Sequence, residues 1–149
     1  MIFSKTTEYA LRIMNFMAMD EKKLYSANDI YENLRIPFRY LRKQMTILSK
    51  SGLIISVQGK NGGYRISKSL SEISLLDITR VAGDNKINNE CFFGFKSCAF
   101  EKKCAMHYKW AAVRKSINNV LTSTTLEELK KTGTHNFISK NSLIFTKKD

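Results

Sequence analysis

The sequence predicts a mainly α-helical protein with one small β-hairpin, arranged as a winged helix-turn-helix domain followed by a long dimerisation helix. Three observations predict this fold class. Apolar residues recur at helical spacing before residue 52, a Gly-rich turn then separates two β-like runs, and a long apolar stripe begins near residue 104. The 149 residues suit one domain with an appendage. No apolar run approaches the ~20 residues of a membrane helix, so we expect a cytoplasmic protein without a membrane partner.

The first two helices are predicted from apolar spacing and from capping residues. Residues 5–19 form the first helix, because apolar side chains recur there at helical spacing, at Ala10, Ile13, Met14 and Met17. Ser26 and Asp29 resemble a capping pair, so a short second helix is expected at Asp29–Leu34.

A third helix is expected between Pro37, which suits the first turn of a helix, and Gly52, which is a natural stop. Its apolar face is predicted to anchor it in a core. That face holds Phe38, Leu41, Met45 and Leu48. The third helix is therefore expected to bury one face in the core and to expose the opposite face to solvent.

The open side of this helix is basic, and so is the chain around it. The net charge is +12, and no acidic residue occurs between Glu32 and Glu72. The outward face of the third helix holds Arg39, Arg42, Lys43, Thr46 and Lys50. One-sided charge favours a polyanionic partner, either nucleic acid or an acidic membrane surface. The helix by itself fits two alternatives, a solvated amphipathic helix or a helix that lies in the DNA major groove.

A hairpin after the third helix favours the DNA-binding alternative, although a plain surface hairpin would also fit. Two short β-like runs, Ile54–Val57 and Tyr64–Ser67, flank a turn that contains Asn-Gly, a strong hairpin signal. A basic helix followed by a Gly-rich hairpin is the order of a winged helix-turn-helix, so double-stranded DNA is the expected partner. The expected DNA-contacting residues are Lys5, Arg39, Tyr40, Arg42, Lys43, Lys50, Gln58, Lys60 and Asn61.

The second half of the chain is expected to contain three more helices. Ser74 and Asp77 start a short helix that runs through Val81, and a long helix extends from Cys104 to about Leu121. The apolar stripe of the long helix has little of its own domain left to cover it, which favours a dimer interface, although packing on its own domain is the alternative. The stripe holds Met106, Trp110, Val113, Ile117, Val120 and Leu121.

The last predicted helix, Leu126–Lys131, is expected to begin at a capping box formed by Thr124 and Glu127. The expected domains are a winged helix-turn-helix at 1–82, a cysteine-bearing loop at 83–103, the dimerisation helix and short final helix at 104–131, and a polar basic tail at 132–149.

The cysteine-bearing loop and the residue after it hold all three cysteines of the chain, Cys91, Cys98 and Cys104. Structural zinc sites usually contain a tighter cysteine pair and four ligands, so this wide spacing favours an iron–sulfur cluster. Three thiols without a metal are the alternative. His107 lies one helical turn after Cys104 and could supply a fourth ligand, but a surface histidine or a carboxylate from elsewhere also fits.

The chain resembles the Rrf2 family of bacterial winged-helix regulators. The matching stretches are "TEYALRIM" at 7–14, "IPFRYLRKQMTILSKSGLIISVQGKNGGYRI" at 36–66, the three cysteines, "CAMHYKW" at 104–110 and "TLEEL" at 125–129. The resemblance implies a homodimer on a palindromic promoter site. It also implies that Cys91, Cys98 and Cys104 hold a [2Fe–2S] or [4Fe–4S] cluster.

The resemblance implies two candidates for the fourth cluster ligand. IscR-like members use a histidine that corresponds to His107, and NsrR-like members use an acidic residue of the other subunit that corresponds to Glu8. Glu8 is the preferred expectation, because it would tie the cluster to the first helix of the neighbouring subunit. Two positions depart from the family pattern, since Gln58 stands where many members carry Arg and Arg42 where IscR-like members carry Glu.

These patterns predict a homodimeric transcriptional regulator whose promoter affinity is controlled by an iron–sulfur cluster that senses redox state, nitric oxide or cluster supply. One alternative is a cluster-free thiol regulator on the same fold, and another is a small iron–sulfur protein for electron transfer or cluster delivery. An enzyme is not expected. The sequence holds no recognisable nucleophile–base pair or nucleotide loop, and His107 and His135 are its only histidines.

Overall fold

A computed structural model describes residues 3–84, 90–98, 100 and 103–134 of the chain. The helices are α1 (Lys5–Met17), α2 (Ala27–Leu34), α3 (Phe38–Lys50), α4 (Leu75–Val81), α5 (Ala105–Ser123) and α6 (Leu126–Lys131). Strands β1 (Ile54–Val57) and β2 (Gly63–Ile66) lie between α3 and α4, and short 3-10 helices occupy Ala18–Asp20 and Leu70–Glu72. The predicted helical fold with a hairpin wing is confirmed. Most of the predicted tail and His135 lie outside the described residues.

The first two helices begin at side-chain caps. The Ser4 hydroxyl accepts a hydrogen bond from the Thr7 amide at the start of α1. Ser26 and Asp29 form the predicted capping box, and this places the start of α2 at Ala27, two residues earlier than expected. The backbone hydrogen bond from Ser26 holds the pKa of the Asp29 carboxyl below its ordinary value. The chain then leaves α2 through Arg35, whose left-handed φ of 51° turns it toward α3.

The core-facing side of α3 differs from the prediction at one position. Leu41, Met45 and Leu48 are buried as expected, but Phe38 is 44% exposed, so its assignment to the core is wrong. Gln44 is buried in this face instead. The reason is position, because Phe38 is the first residue of the helix and its ring packs edge-on against a ring of α2 rather than beneath α3.

The wing is an antiparallel hairpin whose register pairs Ile54 with Ile66 and Val57 with Gly63. Strand β2 is shifted one residue toward the N-terminus relative to the prediction. Tyr25, which lies between α1 and α2, exchanges two backbone hydrogen bonds of 2.8 Å with Tyr64. The hairpin is therefore anchored to the helical body by a third short segment that the sequence did not predict.

The hydrophobic core is built around α1. Helix α1 packs against α2, α3, α4 and α6, and its buried face includes Ala10, Ile13, Met14 and Met17, as predicted. Leu126 of α6 is fully buried in the same core. The final helix thus packs with the predicted DNA-binding domain, although the sequence groups it with the dimerisation helix.

The cap of α6 lies one residue later than predicted. The Thr125 hydroxyl, not that of Thr124, accepts the Glu128 amide at the start of this helix. The backbone of Thr124 is used elsewhere, because its carbonyl accepts the Leu75 amide at 2.9 Å. This bond holds the end of α5 beside the start of α4. None of the described helices is long and apolar enough to cross a membrane.

Candidate DNA interface and cysteine cavity

The basic face of α3 is exposed to solvent, and the opposite face of the helix is buried in the core. Arg39, Arg42 and Lys43 are exposed, whereas Leu41 and Met45 on the other side are buried. In the described part of the chain, none of the three cations forms an ion pair. Their charge is therefore available to an external anion, as a contact with DNA phosphates or base edges requires.

The rest of the predicted DNA-contacting set is also exposed. It comprises Lys5, Tyr40, Lys50, Gln58, Lys60 and Asn61. The Tyr40 ring lies 6.0 Å from the ring of Tyr9, which holds it at the edge of the basic face. Lys5 pairs with Glu8 at 3.2 Å, and the Gln58 amide donates to Ser56 at 3.3 Å.

The wing tip is shaped by its glycines. Gly59 has a φ of 110°, and its carbonyl accepts the Gly62 amide at 3.0 Å. A Cβ at Gly62 would lie 2.1 Å from the Val57 carbonyl oxygen, so only glycine fits this backbone. Lys60 and Asn61 are presented between these two positions at the end of the hairpin.

A cavity of about 130 Å³ lies where the cysteine-bearing segment meets α5. All three cysteines line it, and so does His107. The three thiols, which all belong to the described part of the chain, are half-buried and form no disulfide. The remaining lining residues are Phe92, Phe95, Lys96, Ser97, Met106, Trp110 and Arg114.

Local geometry brings these residues together. Cys104 is the N-terminal cap residue of α5, and the His107 amide donates to its carbonyl at 3.0 Å. At the other end of the segment, the Gly94 amide donates to the Cys91 carbonyl at 2.8 Å in a tight turn, with a φ of 82° at Gly94. Cys91 and Cys104 are thereby turned toward one space from two directions.

Two side chains of α5 fix the start of the cysteine segment. The indole N–H of Trp110 donates to the Glu90 carbonyl at 3.1 Å, and Arg114 donates to the same oxygen at 3.4 Å. The Phe92 ring packs edge-on against Trp110 with centroids 5.6 Å apart. The cysteine segment is therefore packed against α5. No local pattern in the sequence predicts the hydrogen bond between Arg114 and the Glu90 carbonyl.

The residues of the cavity include the donor types that iron–sulfur clusters use. Three thiols and an imidazole supply the soft donors that such clusters use, and Lys96 and Arg114 offset the negative charge of thiolate ligands. Within the described ranges, no three His, Cys, Asp or Glu side chains are close enough together to hold one metal ion.

The two expected fourth ligands occupy different places. His107 lines the cavity with the cysteines, whereas Glu8 is a residue of α1 that pairs with Lys5 of its own chain. The expectation for Glu8 concerns the site of a second subunit, which a single chain does not contain.

The apolar stripe of α5 divides into two parts. Met106 and Trp110 contribute to the cavity wall. Farther along the helix, Val113 is 46% exposed and Val120 is 61% exposed, and no residue of α5 is buried. Among the described residues, the C-terminal part of the stripe is thus only partly covered, with Val113 and Val120 exposed and Ile117 and Leu121 partly buried.

Comparison with known proteins places this arrangement among transcriptional regulators. Residues 3–132 match the model of the Rrf2 family, described as iron-dependent transcriptional regulators. The chain is 30% identical over 133 residues to the transcriptional regulator NsrR of Oceanobacillus iheyensis, covering 88% of this chain and 90% of that protein. The residues matched by the family model include the basic helix, the wing and all three cysteines.

Two solved structures are similar to the described fold. CymR, the global cysteine regulator of B. subtilis, has a TM-score of 0.73 and 26% identity, with 87% of this chain and 96% of that chain covered. IscR of T. potens has a TM-score of 0.69 and 28% identity, with 87% of this chain and 86% of that chain covered.

Proposed function

Because the chain belongs to the Rrf2 family of transcriptional regulators, we propose that it binds a palindromic promoter site as a homodimer and that an iron–sulfur cluster controls its affinity. The observation that carries this proposal is the cavity shared by Cys91, Cys98, Cys104 and His107. The cavity is built against α5, the helix whose exposed apolar stripe suits pairing with a second copy.

Binding of DNA is assigned to α3 and the wing. Arg39, Arg42 and Lys43 lie on the exposed face of α3 and would approach base edges in the major groove. Lys5, Lys50 and Lys60 would contact phosphates, which position a protein on DNA without reading its sequence. A dimer would place two copies of α3 about one helical turn of DNA apart, ~34 Å, and would thereby require a two-fold site.

The cluster would be held by the three cysteines together with a fourth ligand. We place His107 in that role, because it lines the same cavity as the thiols, and keep Glu8 of a partner subunit as the alternative. When bound, the cluster would supply iron and sulfide that react with oxidants or nitric oxide. Its occupancy would also fall when the cell supplies too little cluster. The protein's own part is to hold the segment between Glu90 and Cys104 in one arrangement.

A change in the arrangement of this segment would be transmitted to α5 and to α1 through hydrogen bonds. Glu90 is bonded to Trp110 and Arg114 of α5, and Asp84, on the other side of the segment 85–89, is bonded to Ser4 at the start of α1. A coupling free energy of ~1–3 kcal/mol between the two sites would change DNA affinity about 5- to 150-fold.

Anaerobic purification with iron and sulfide analysis tests the cluster. We expect a coloured wild-type protein that contains sulfide and a colourless Cys98→Ala variant. Ser97→Ala is the matched control, because Ser97 lines the same cavity but supplies no thiol. His107→Ala should alter the absorbance spectrum if His107 is the fourth ligand, whereas Glu8→Ala should alter it if the partner supplies the ligand. A wild type that stays colourless after reconstitution would refute the cluster.

The salt dependence of binding tests the DNA assignment. Affinity for a selected duplex should fall steeply as salt rises, and Lys50→Ala should reduce the slope of log K against log salt by about one per protomer if Lys50 contacts a phosphate. Lys115→Ala, an exposed cation of α5, should leave the slope unchanged. An affinity that does not depend on salt would contradict DNA binding through these basic residues.

A second candidate function is a cluster-free thiol regulator on the same fold. The half-buried position of three thiols outside any disulfide favours it. In this case the reconstituted protein stays colourless, and Cys98→Ala changes the response of DNA binding to oxidants or electrophiles. Iron and sulfide analysis therefore separates the two candidates directly.

A further inference from the structure

An exposed aromatic ring lies at the start of the basic helix. Phe38 is the first residue of α3 and is 44% exposed, although the helix is already anchored by Leu41, Met45 and Leu48. A single exposed apolar side chain is common on protein surfaces and by itself carries no meaning. What distinguishes Phe38 is its place, because the N-terminal residues of a recognition helix contact base edges in the major groove.

The ring of Phe38 is held from one side. It packs edge-on against Tyr31 of α2 with centroids 5.8 Å apart, and Tyr31 in turn lies beneath the guanidinium of Arg35 at 5.9 Å. A ring that is already positioned loses less conformational entropy on contact with a ligand than a freely rotating side chain. The part of Phe38 that Tyr31 does not cover therefore forms a fixed apolar surface.

The surroundings of this apolar surface are polar and cationic. Arg42 lies one turn along α3 on the same edge of the helix, and Arg39 follows Phe38 in the chain. Both arginines are exposed and, in the part of the chain that the structure describes, unpaired with any carboxylate. Phe38 is thus an apolar spot within a surface that is otherwise suited to phosphates and base acceptors.

The DNA major groove offers one prominent apolar group, the 5-methyl of thymine, and aromatic or aliphatic side chains contact it. We propose that Phe38 is a specificity-determining residue that contacts the 5-methyl group of a thymine in each half-site of the operator. This inference rests on the proposed DNA binding and specifies one base, thymine, that α3 would recognise. The competing interpretation is that Phe38 only holds α2 and α3 together through Tyr31.

Removal of single methyl groups from the DNA tests the inference. A preferred duplex is first selected from random sequences with the wild-type protein, and each thymine is then replaced by deoxyuridine, which lacks only the methyl. We expect one thymine in each half-site whose replacement weakens binding roughly fourfold, the factor that burial of one methyl-sized apolar group provides. The experiment on the wild type depends on no protein variant.

Protein variants then locate the contact. Phe38→Ala should bind the thymine and deoxyuridine duplexes equally, so that the fourfold difference disappears. Phe38→Leu should retain part of it and covers the case in which the alanine variant folds poorly. Met19→Ala, which removes an exposed apolar side chain of the 3-10 helix Ala18–Asp20, outside α3 and the cysteine segment, should retain all of it. A purely structural role would weaken binding to both duplexes alike and leave their ratio unchanged.

The results separate failure of the inference from failure of the proposed function. If the wild type selects a duplex but no thymine methyl matters, or if the methyl effect persists in Phe38→Ala, the inference is overturned and DNA binding stands. If the wild type selects no sequence and shows no salt-dependent affinity, both fail together.

Discussion

The backbone amide of Ser4 donates a hydrogen bond of 2.7 Å to the carboxylate of Asp84, a residue that lies 80 positions later in the chain. Ser4 caps α1, which packs against α3, and Asp84 follows α4 on the way to the cysteine segment. This contact joins the start of the predicted DNA-binding domain to the chain that leads to Cys91. It is therefore a candidate link between the two sites.

Loss of the Asp84 carboxylate should weaken both stability and coupling. We expect Asp84→Ala to lower the free energy of unfolding by about 1 kcal/mol, because this contact is exposed and solvent screens its charge. Asp84→Asn retains an acceptor and should lose roughly half as much. Urea denaturation measures the stability of both variants. The factor by which the cluster changes DNA affinity should move toward one in the order wild type, Asp84→Asn, Asp84→Ala, and an unchanged factor would exclude this link.

The turn of the wing should not tolerate a side chain at Gly62. A Cβ there would lie 2.1 Å from the Val57 carbonyl oxygen, so Gly62→Ala must displace the backbone. We expect a loss of about 2–3 kcal/mol in unfolding free energy and weaker DNA binding. Gly52→Ala is the control. Gly52 has a φ of 77°, but a Cβ there would meet no atom within 4 Å. This variant should therefore lose only the ~1 kcal/mol that a left-handed backbone conformation costs a residue with a side chain. Equal losses in the two variants would contradict the steric argument.

A charge on the uncovered stripe of α5 should prevent dimerisation. Val113 is 46% exposed in the single chain and would be buried in the proposed homodimer, so Val113→Glu would place an unpaired carboxylate in an apolar interface. Sedimentation velocity should show a dimeric wild type and a largely monomeric Val113→Glu variant. Lys115→Glu introduces the same side chain at an exposed position two residues away, on another face of the helix, and should remain dimeric. A wild type that is monomeric at micromolar concentration would refute the dimer.

The capping box of α2 should make stability depend on pH. The Asp29 carboxylate accepts the Ser26 amide at 2.9 Å, and this bond holds the folded-state pKa of Asp29 below its unfolded value. The stabilisation is therefore present above the unfolded pKa of ~3.9 and is lost as pH falls through the lower folded value.

Comparison with Asp29→Asn isolates this effect. At neutral pH, wild type should exceed the variant in unfolding free energy by roughly half a kcal/mol, the scale of an exposed charged contact. The difference should shrink as pH falls below about 4. Thermal or urea unfolding across this range checks the prediction, and a difference that does not vary with pH would show that the carboxylate charge is not involved.

Local signals in the sequence determined the elements of this protein and their order. Ser74 with Asp77 marked the start of α4, and Ser26 with Asp29 marked that of α2 to within two residues, since a capping box involves residues only three positions apart. The spacing of Leu41, Met45 and Leu48 identified the buried face of α3, and the Asn-Gly turn identified the wing. The exposure of Arg39, Arg42 and Lys43 followed from the same periodicity, because residues opposite an anchored face must point outward.

Contacts between residues far apart in the chain were decided only by the tertiary structure. The shared cavity of Cys91, Cys98, Cys104 and His107 depends on docking of the cysteine segment on α5 through the Glu90 carbonyl. The edge-on contact of Phe38 with Tyr31 joins two helices, and the Leu75 amide donates to the carbonyl of Thr124 beside the cap of α6. Periodicity reports which face of an element is apolar. It does not report which other element will cover that face, because that choice is made by the packing of the whole chain.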